Sequence, residues 1–375
     1  MSTLGGFGGF GGFGGFGGFG GFGGFGGLGG FGGFAAPADA SLPAMQSLDT
    51  TRAALSGAYT GVQYPPVFGT IDEPAQLLKL EPVRRLQACT LALQTGIGFS
   101  TDARRGEARL HFIDVDAAQL QRLPLVSLRR PSAEVLAQQL DLVIAWADLR
   151  ATRAHEIALQ LSGQIVPFWT GLLGLHPVRH AATLELLALS LSLAVDVHMR
   201  FKQVFACPRP VTLSSQVQPI IATPDHGSWP SGHSTEAHLS CTLLWALASQ
   251  DPHNAARKGD LYPALQRLAA RVAINRTVAG VHFPVDSAAG RVLGTALAEF
   301  VIARCTGDSR WRARSFDGTA FTQPNGDPID FDATQGIDAP TPGHGRDKEA
   351  QRIRKDALLA FMWERASREW KGAGA

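Results

Sequence analysis

The sequence predicts an all-α fold, a helical bundle, and two observations carry that reading. Apolar residues recur at helical spacing along several long runs, and few segments show the alternating, β-branched character of strands. Glu134–Gln160 has this spacing with no Pro or Gly inside and with Ser132 placed to cap its start. Thr183–Phe205, Gly232–Ser249, Pro263–Ala279 and Pro284–Cys305 supply four more helix candidates, and the amphipathic stretch Glu349–Trp370 reads as a closing helix.

Before the bundle, residues 4–34 repeat (Leu/Phe)-Gly-Gly. Glycine loses the most conformational entropy on ordering, and isolated Phe rings bury too little area to offset it, so residues 1–36 are expected to be a disordered tail. Its evenly spaced rings suit weak self-association. Residues 37–76, rich in Ala, Pro, Gly and Thr, read as an extended lead-in, and 77–375 as a single helical domain. Within that domain, 306–348 is rich in Gly, Pro and Asp without periodicity and reads as a long surface loop.

Hydrophobic residues make up 45% of the chain and charged ones 18%, with a formal net charge of +2, so no nucleic-acid partner is implied. Cys89, Cys207, Cys241 and Cys305 are scattered without metal-ligand spacing, which points to free buried thiols. No basic, apolar leader precedes Arg52, and the longest apolar stretch, ALSLSLAVDV at 188–197, is broken by serines and an aspartate. Against the roughly 20 apolar residues a span requires, this predicts no membrane span and a cytoplasmic protein.

Three short segments concentrate anion-binding chemistry. KQVFACPRP (202–210) sets Lys202 and Arg209 at a helix end and a proline-stiffened turn, a point charge and a bidentate fork suited to a tetrahedral oxyanion. TPDHGSWPSGHSTEAH (223–238) opens a helix at Gly232. Its first amides face an anion at the positive end of the dipole, with Ser231 as cap or hydroxyl donor and His233 within a turn. RTVAGVHFPVD (276–286) adds Arg276, His282 and Asp286. With Pro284 starting a helix, Asp286 reaches back to hold one ring nitrogen of His282 as N–H and leaves the other a fixed lone pair.

The pattern K-x6-RP, PSGH, R-x5-H-x3-D resembles the three-part signature of the vanadium-dependent haloperoxidases and the type 2 phosphatidate phosphatases, including soluble bacterial acid phosphatases. The likeness covers about residues 180–305 and departs at Asn275, where many relatives carry serine. It implies a bundle of the haloperoxidase and acid phosphatase type, with Lys202, Arg209, Ser231, Gly232 and Arg276 binding the oxyanion. It also implies that His282 bonds to phosphorus or vanadium, that Asp286 orients it, and that His233 serves as acid and base.

The implied reaction read first is vanadate-dependent oxidation of halide, bromide above others, by hydrogen peroxide, with an organic acceptor downstream. His226, near Ser231 in a run similar to that of bromoperoxidases, is its candidate tuning residue, and His238 is expected to face away. The alternative is a soluble acid phosphatase that hydrolyses phosphomonoesters through a phosphohistidine at His282 and needs no vanadate. A second alternative is an anion-binding scaffold assembled through residues 4–34. A homodimer is expected from the same resemblance.

Overall fold

The computed structural model describes residues 64–116, 119–161, 166–307, 311–339 and 341–371. The expectations for the tail 1–36 and for most of the lead-in fall outside these residues.

A 3-10 turn at Pro74–Lys79 leads into α1 (Pro82–Gln94), and then three strands follow: β1 (Ile97–Asp102), β2 (Glu107–Asp116) and β3 (Gln119–Arg129). The all-α expectation is corrected here. β1, β2 and β3 pair antiparallel, β3 pairs in parallel with β4 (Arg314–Asp317), and β4 pairs antiparallel with β5 (His344–Arg346), giving one mixed five-stranded sheet. The signal lay in Ala108, Leu110 and Phe112, which alternate with polar residues and bury one face of β2. Pro124, which argues against a strand, faces His111 where the β2–β3 register shifts, at the kind of irregularity that tolerates a missing N–H.

The long helix expected over Glu134–Gln160 is in fact three helices and a 3-10 turn: α2 (Ala133–Gln138), α3 (Leu140–Ala145), Trp146–Leu149, and α4 (Arg150–Leu161). Two side chains at the breaks tie the segment to the bundle. Gln139 is fully buried at the α2–α3 junction, donating to the Ile329 carbonyl and accepting from the Val285 amide. Arg150 donates to the carbonyls of Val217, Gln218 and Val278. Polar anchoring of this kind overrides an uninterrupted apolar period.

After α5 (Val166–Leu173) come α6 (Ala181–Phe205), the short α7 (Pro210–Leu213), α8 (Gly232–Ala248), α9 (Pro252–Ala256), α10 (Lys258–Val278), α11 (Pro284–Thr306) and finally α12 (Ala357–Arg368). The central packing is α8 against α11, α10 and α6. Its closeness depends on two glycines of α11. A Cβ at Gly294 would lie 2.1 Å from the Thr235 carbonyl oxygen, and one at Gly290 would lie 2.6 Å from Ser234 Cβ.

The segment 306–348 is more than a surface loop. It carries β4 and β5 and buries Trp311, Phe316, Phe321 and Phe331. Buried Arg314 fastens it to α11, with Nη2 2.7 Å from Glu299 Oε1 and Nη1 3.0 Å from Asp338 Oδ1. The four cysteines are free and buried.

The stretch Ala181–Leu213, 33 residues with a hydropathy of 1.4 in its most apolar window, is long and apolar enough to cross a membrane by length and composition; 78% of that window is buried inside the protein. The serines within it do not break it. Ser190 Oγ donates to the Leu186 carbonyl at 2.8 Å, so its polar group is satisfied within the helix.

Candidate active site

The last turn of α6 holds Lys202, and the helix stops at Ala206 in the left-handed conformation (φ 46°). Lys202 is 1% exposed, and its Nζ donates to the carbonyls of Gly227 and Ser228, both at 3.0 Å. The chain passes close here, since a Cβ on Gly227 would lie 3.0 Å from the Lys202 carbonyl oxygen. Two of three ammonium hydrogens are thus used on one wall.

Arg209, in the turn before α7, spans the other wall. Nη1 donates to the Val281 carbonyl (2.8 Å) and to His282 Nε2 (3.1 Å); Nη2 lies 3.1 Å from His226 Nδ1, and Nε donates to the His226 carbonyl. Asp286, in the first turn of α11, accepts on Oδ2 from His282 Nδ1 (2.8 Å) and from the Phe283 amide (3.0 Å). A carboxylate only accepts and a guanidinium only donates. The proton of His282 therefore sits on Nδ1, and its Nε2 lone pair accepts from Arg209 Nη1. Burial, followed by Arg209 and Lys202, holds this imidazole well below its ordinary value, so it is neutral near pH 7. The Asp286 carboxyl is pushed up by burial and pulled back by the Phe283 N–H, Lys202 and Arg209.

Ser231 caps α8, its Oγ accepting from the Ser234 amide, while its own amide donates to the Asp286 carbonyl at 3.0 Å. This last bond locks the start of α8 onto the start of α11, where Asp286 holds His282. His233 follows, and its Nε2 lies 3.4 Å from the Gln160 carbonyl oxygen, which assigns the hydrogen to Nε2. It keeps some surface exposed, yet burial, followed by Arg276, pushes its imidazole down to about 3.

Arg276, near the end of α10, is 1% exposed and donates from Nη2 to Gln160 Oε1 at 2.6 Å. Its Nε and Nη1 are buried with no protein partner. A buried donor left unpaired costs about 1–3 kcal/mol, so two on one guanidinium point to a ligand oxygen.

Hydrogen bonds thus gather Lys202, Arg209, Ser231, His282 and Asp286 around residues 226–228 and join Arg276 to His233 through Gln160, and the two groups adjoin at Ser231–His233 to make one polar cage. His226 joins them through Arg209, and burial pushes it down to about 4. His238 is buried elsewhere, bonded to the Ser234 carbonyl and edge-on to Phe331.

Three residues escaped the sequence reading. Gln160, at the end of α4, joins Arg276, His233 and Asn275. His198 and Glu236 lie behind Gly232, 3.1 Å apart. His198 and Glu236 are polar groups on apolar helices, which is the signal that would have found them; Gln160, on a mixed polar helix, carries none. Asn275 bonds to Glu156, Gln160 and Arg153 and bears on the cage only through Gln160.

The structure thus sets buried Lys202, Arg209 and Arg276, the start of α8 and a carboxylate-held histidine in one region. Residues 183–310, which hold Lys202 through Asp286, match the family model described as PAP2 superfamily, and this part of the chain is a PAP2 superfamily domain. Among solved structures, a transmembrane PAP2-type phosphatidylglycerolphosphate phosphatase from Bacillus subtilis is similar at 20% identity and a TM-score of 0.37, over 44% of this chain and 84% of that one. No curated protein matches the chain. The expectation of a chain with no helix able to span is corrected by the Ala181–Leu213 stretch, which is long and apolar enough to cross a membrane by length and composition.

Proposed function

We propose that the chain is a phosphatase that cleaves phosphomonoesters through a phosphohistidine at His282. The observation that carries this is the pairing of a neutral His282, its Nε2 lone pair accepting from Arg209, with the two unpartnered N–H groups of Arg276. The PAP2 superfamily match supports phosphoryl transfer better than halide oxidation, the reaction read first from the sequence.

Phosphoryl oxygens take the third ammonium hydrogen of Lys202, the unpartnered N–H groups of Arg276, the Ser231 hydroxyl and the Gly232 amide, the arrangement that stabilises charge on three equatorial oxygens. Arg209 shifts its Nη1 hydrogen from His282 to the phosphate, and Nε2 attacks phosphorus as the ester P–O bond breaks. His233 gives its proton to the leaving oxygen. Water then attacks phosphorus, giving a proton to His233 as the P–N bond breaks and its electron pair returns to His282 Nε2, and phosphate departs. The acid function of His233 depends on the substrate, because a dianion among the cations raises an imidazole otherwise held at about 3.

The same donors suit vanadate, which would bond to His282 Nε2 and, as a bound cofactor, supply peroxide activation. On the present reading vanadate is instead an inhibitor that fits the transition-state geometry.

Parallel assays separate the two. Purified protein is expected to release phosphate from a chromogenic phosphomonoester without vanadate, and to lose that activity when vanadate is added. Bromination with vanadate, peroxide and bromide, in the absence of phosphate release, would reverse the assignment. Deleting residues 1–36 tests the scaffold alternative; retained turnover with lost assembly makes the Phe-Gly-Gly tail an accessory.

A further inference from the structure

His198 and Glu236 form a second histidine–carboxyl pair, directly behind the anion seat, that no step above uses. His198 sits one turn before Lys202 on α6, and Glu236 about one turn after Gly232 on α8. Nε2 of His198 lies 3.1 Å from Oε1 of Glu236, with the two side chains 3% and 4% exposed. The ring presses on the helix start, where a Cβ at Gly232 would lie 3.1 Å from its Cε1 and Nε2.

The two carboxyl groups near the cage have different partners. Asp286 accepts two N–H bonds, which favour its carboxylate, although burial pushes the carboxyl up to about 7. Glu236 meets a ring nitrogen that either gives or takes a hydrogen, so a neutral Glu236 can donate to His198. The charged and titratable groups facing this pair are Lys202 on α6, Arg276 on α10, His233 on α8 and His226 in the preceding loop. Burial outweighs the pull of Lys202 and Arg276 and pushes the Glu236 carboxyl up to about 8. A phosphate dianion between those same cations offsets their pull and strengthens the hold on the proton.

We propose that the His198–Glu236 pair matches the charge of the cage to that of its ligand, Glu236 holding a proton against His198 Nε2 while dianionic phosphate is bound. This rests on the oxyanion-cage reading. In alkaline solution one proton enters from water with each dianion, settles on the Glu236 carboxyl, and returns to solvent when phosphate leaves. Glu236 touches no substrate, so it is a positioning residue.

The test uses the full chain and inorganic phosphate at about pH 6 and about pH 9, on either side of the Glu236 titration. Calorimetry in two buffers of different ionisation enthalpy counts protons, and infrared difference spectra detect a protonated carboxyl. At about pH 9 the wild type is expected to take up about one proton and gain a protonated-carboxyl band. Glu236→Gln is expected to lose the band yet bind phosphate at about pH 6 within about threefold of wild type, since both side chains are then neutral. Proton uptake by His233 gives no carboxyl band and uptake by Asp286 gives one that Glu236→Gln retains, so loss of the band in that variant isolates Glu236. Wild-type phosphate binding at about pH 9 without the band, or a band that persists in Glu236→Gln, would overturn the proposal. Failure of phosphate to bind at either pH would overturn the cage reading itself.

Discussion

Replacing Asp286 by Asn tests the nucleophile with the least disturbance of shape. Asp286 Oδ2 receives the His282 Nδ1 hydrogen at 2.8 Å and the Phe283 amide hydrogen at 3.0 Å. The Asp286→Asn variant keeps an acceptor oxygen for both, so the fold should survive; the charge is lost and an amide NH2 takes the place of the buried, unpartnered Oδ1. Turning a charge-assisted bond into a neutral one costs about 1.5 kcal/mol in the resting enzyme. The cost grows as His282 gains positive charge in forming the P–N bond, to about 2–4 kcal/mol, so kcat should fall about 30- to 1000-fold. KM should hold or drop, because Lys202, Arg209 and Arg276 lose a competing anion. The assay is steady-state hydrolysis of a chromogenic phosphomonoester, with thermal unfolding as the control for folding. A kcat within about threefold of wild type, or a loss carried entirely by a rise in KM, would refute the role assigned to Asp286.

Arg276→Ala removes the donors that lack protein partners and should cut kcat/KM by about 10- to 150-fold, one to two charge-assisted bonds, with Lys recovering part of it; steady-state kinetics checks this. Gly294→Ala drives a Cβ to within 2.1 Å of the Thr235 carbonyl oxygen and should destabilise the protein by about 1–3 kcal/mol by forcing α8 and α11 apart, read as a lowered denaturation midpoint. His238 is pushed down to about 3 by burial, followed by Arg291, from 6.5. Its stability contribution is therefore complete above pH 6.5 and lost as pH falls toward 3, at up to about 1.4 kcal/mol per pH unit, and His238→Gln should flatten that acid limb in urea titrations at stepped pH.

The cage was legible in the sequence because its parts are short and local. The four-residue step from His282 to Asp286 becomes a 2.8 Å contact across the start of α11, and Ser231-Gly232 becomes a helix start. What was missed depends on contacts distant in the chain. Gln160 reaches Arg276 across 116 positions, and nothing in the spacing of either residue announces it. His198 and Glu236 lie on apolar helices where each looks like an isolated polar residue until α6 and α8 are packed together. The sheet escaped for another reason. β4 and β5 are only four and three residues long, too short for a period, and they exist because β3 offers an edge and Arg314 ties them to α11. The breaks at Gln139 and Trp146–Leu149 likewise follow from bonds to Ile329, Val285 and Asp330, which periodicity within one segment does not contain.

The covalent step is the centre of this account, and rapid-quench trapping tests it most directly. Protein mixed with a phosphate-labelled phosphomonoester and quenched in alkali, where phosphohistidine persists, should carry the label on the peptide that contains His282, and His282→Ala should carry none. Turnover with no labelled protein, or label on any other residue, would contradict it.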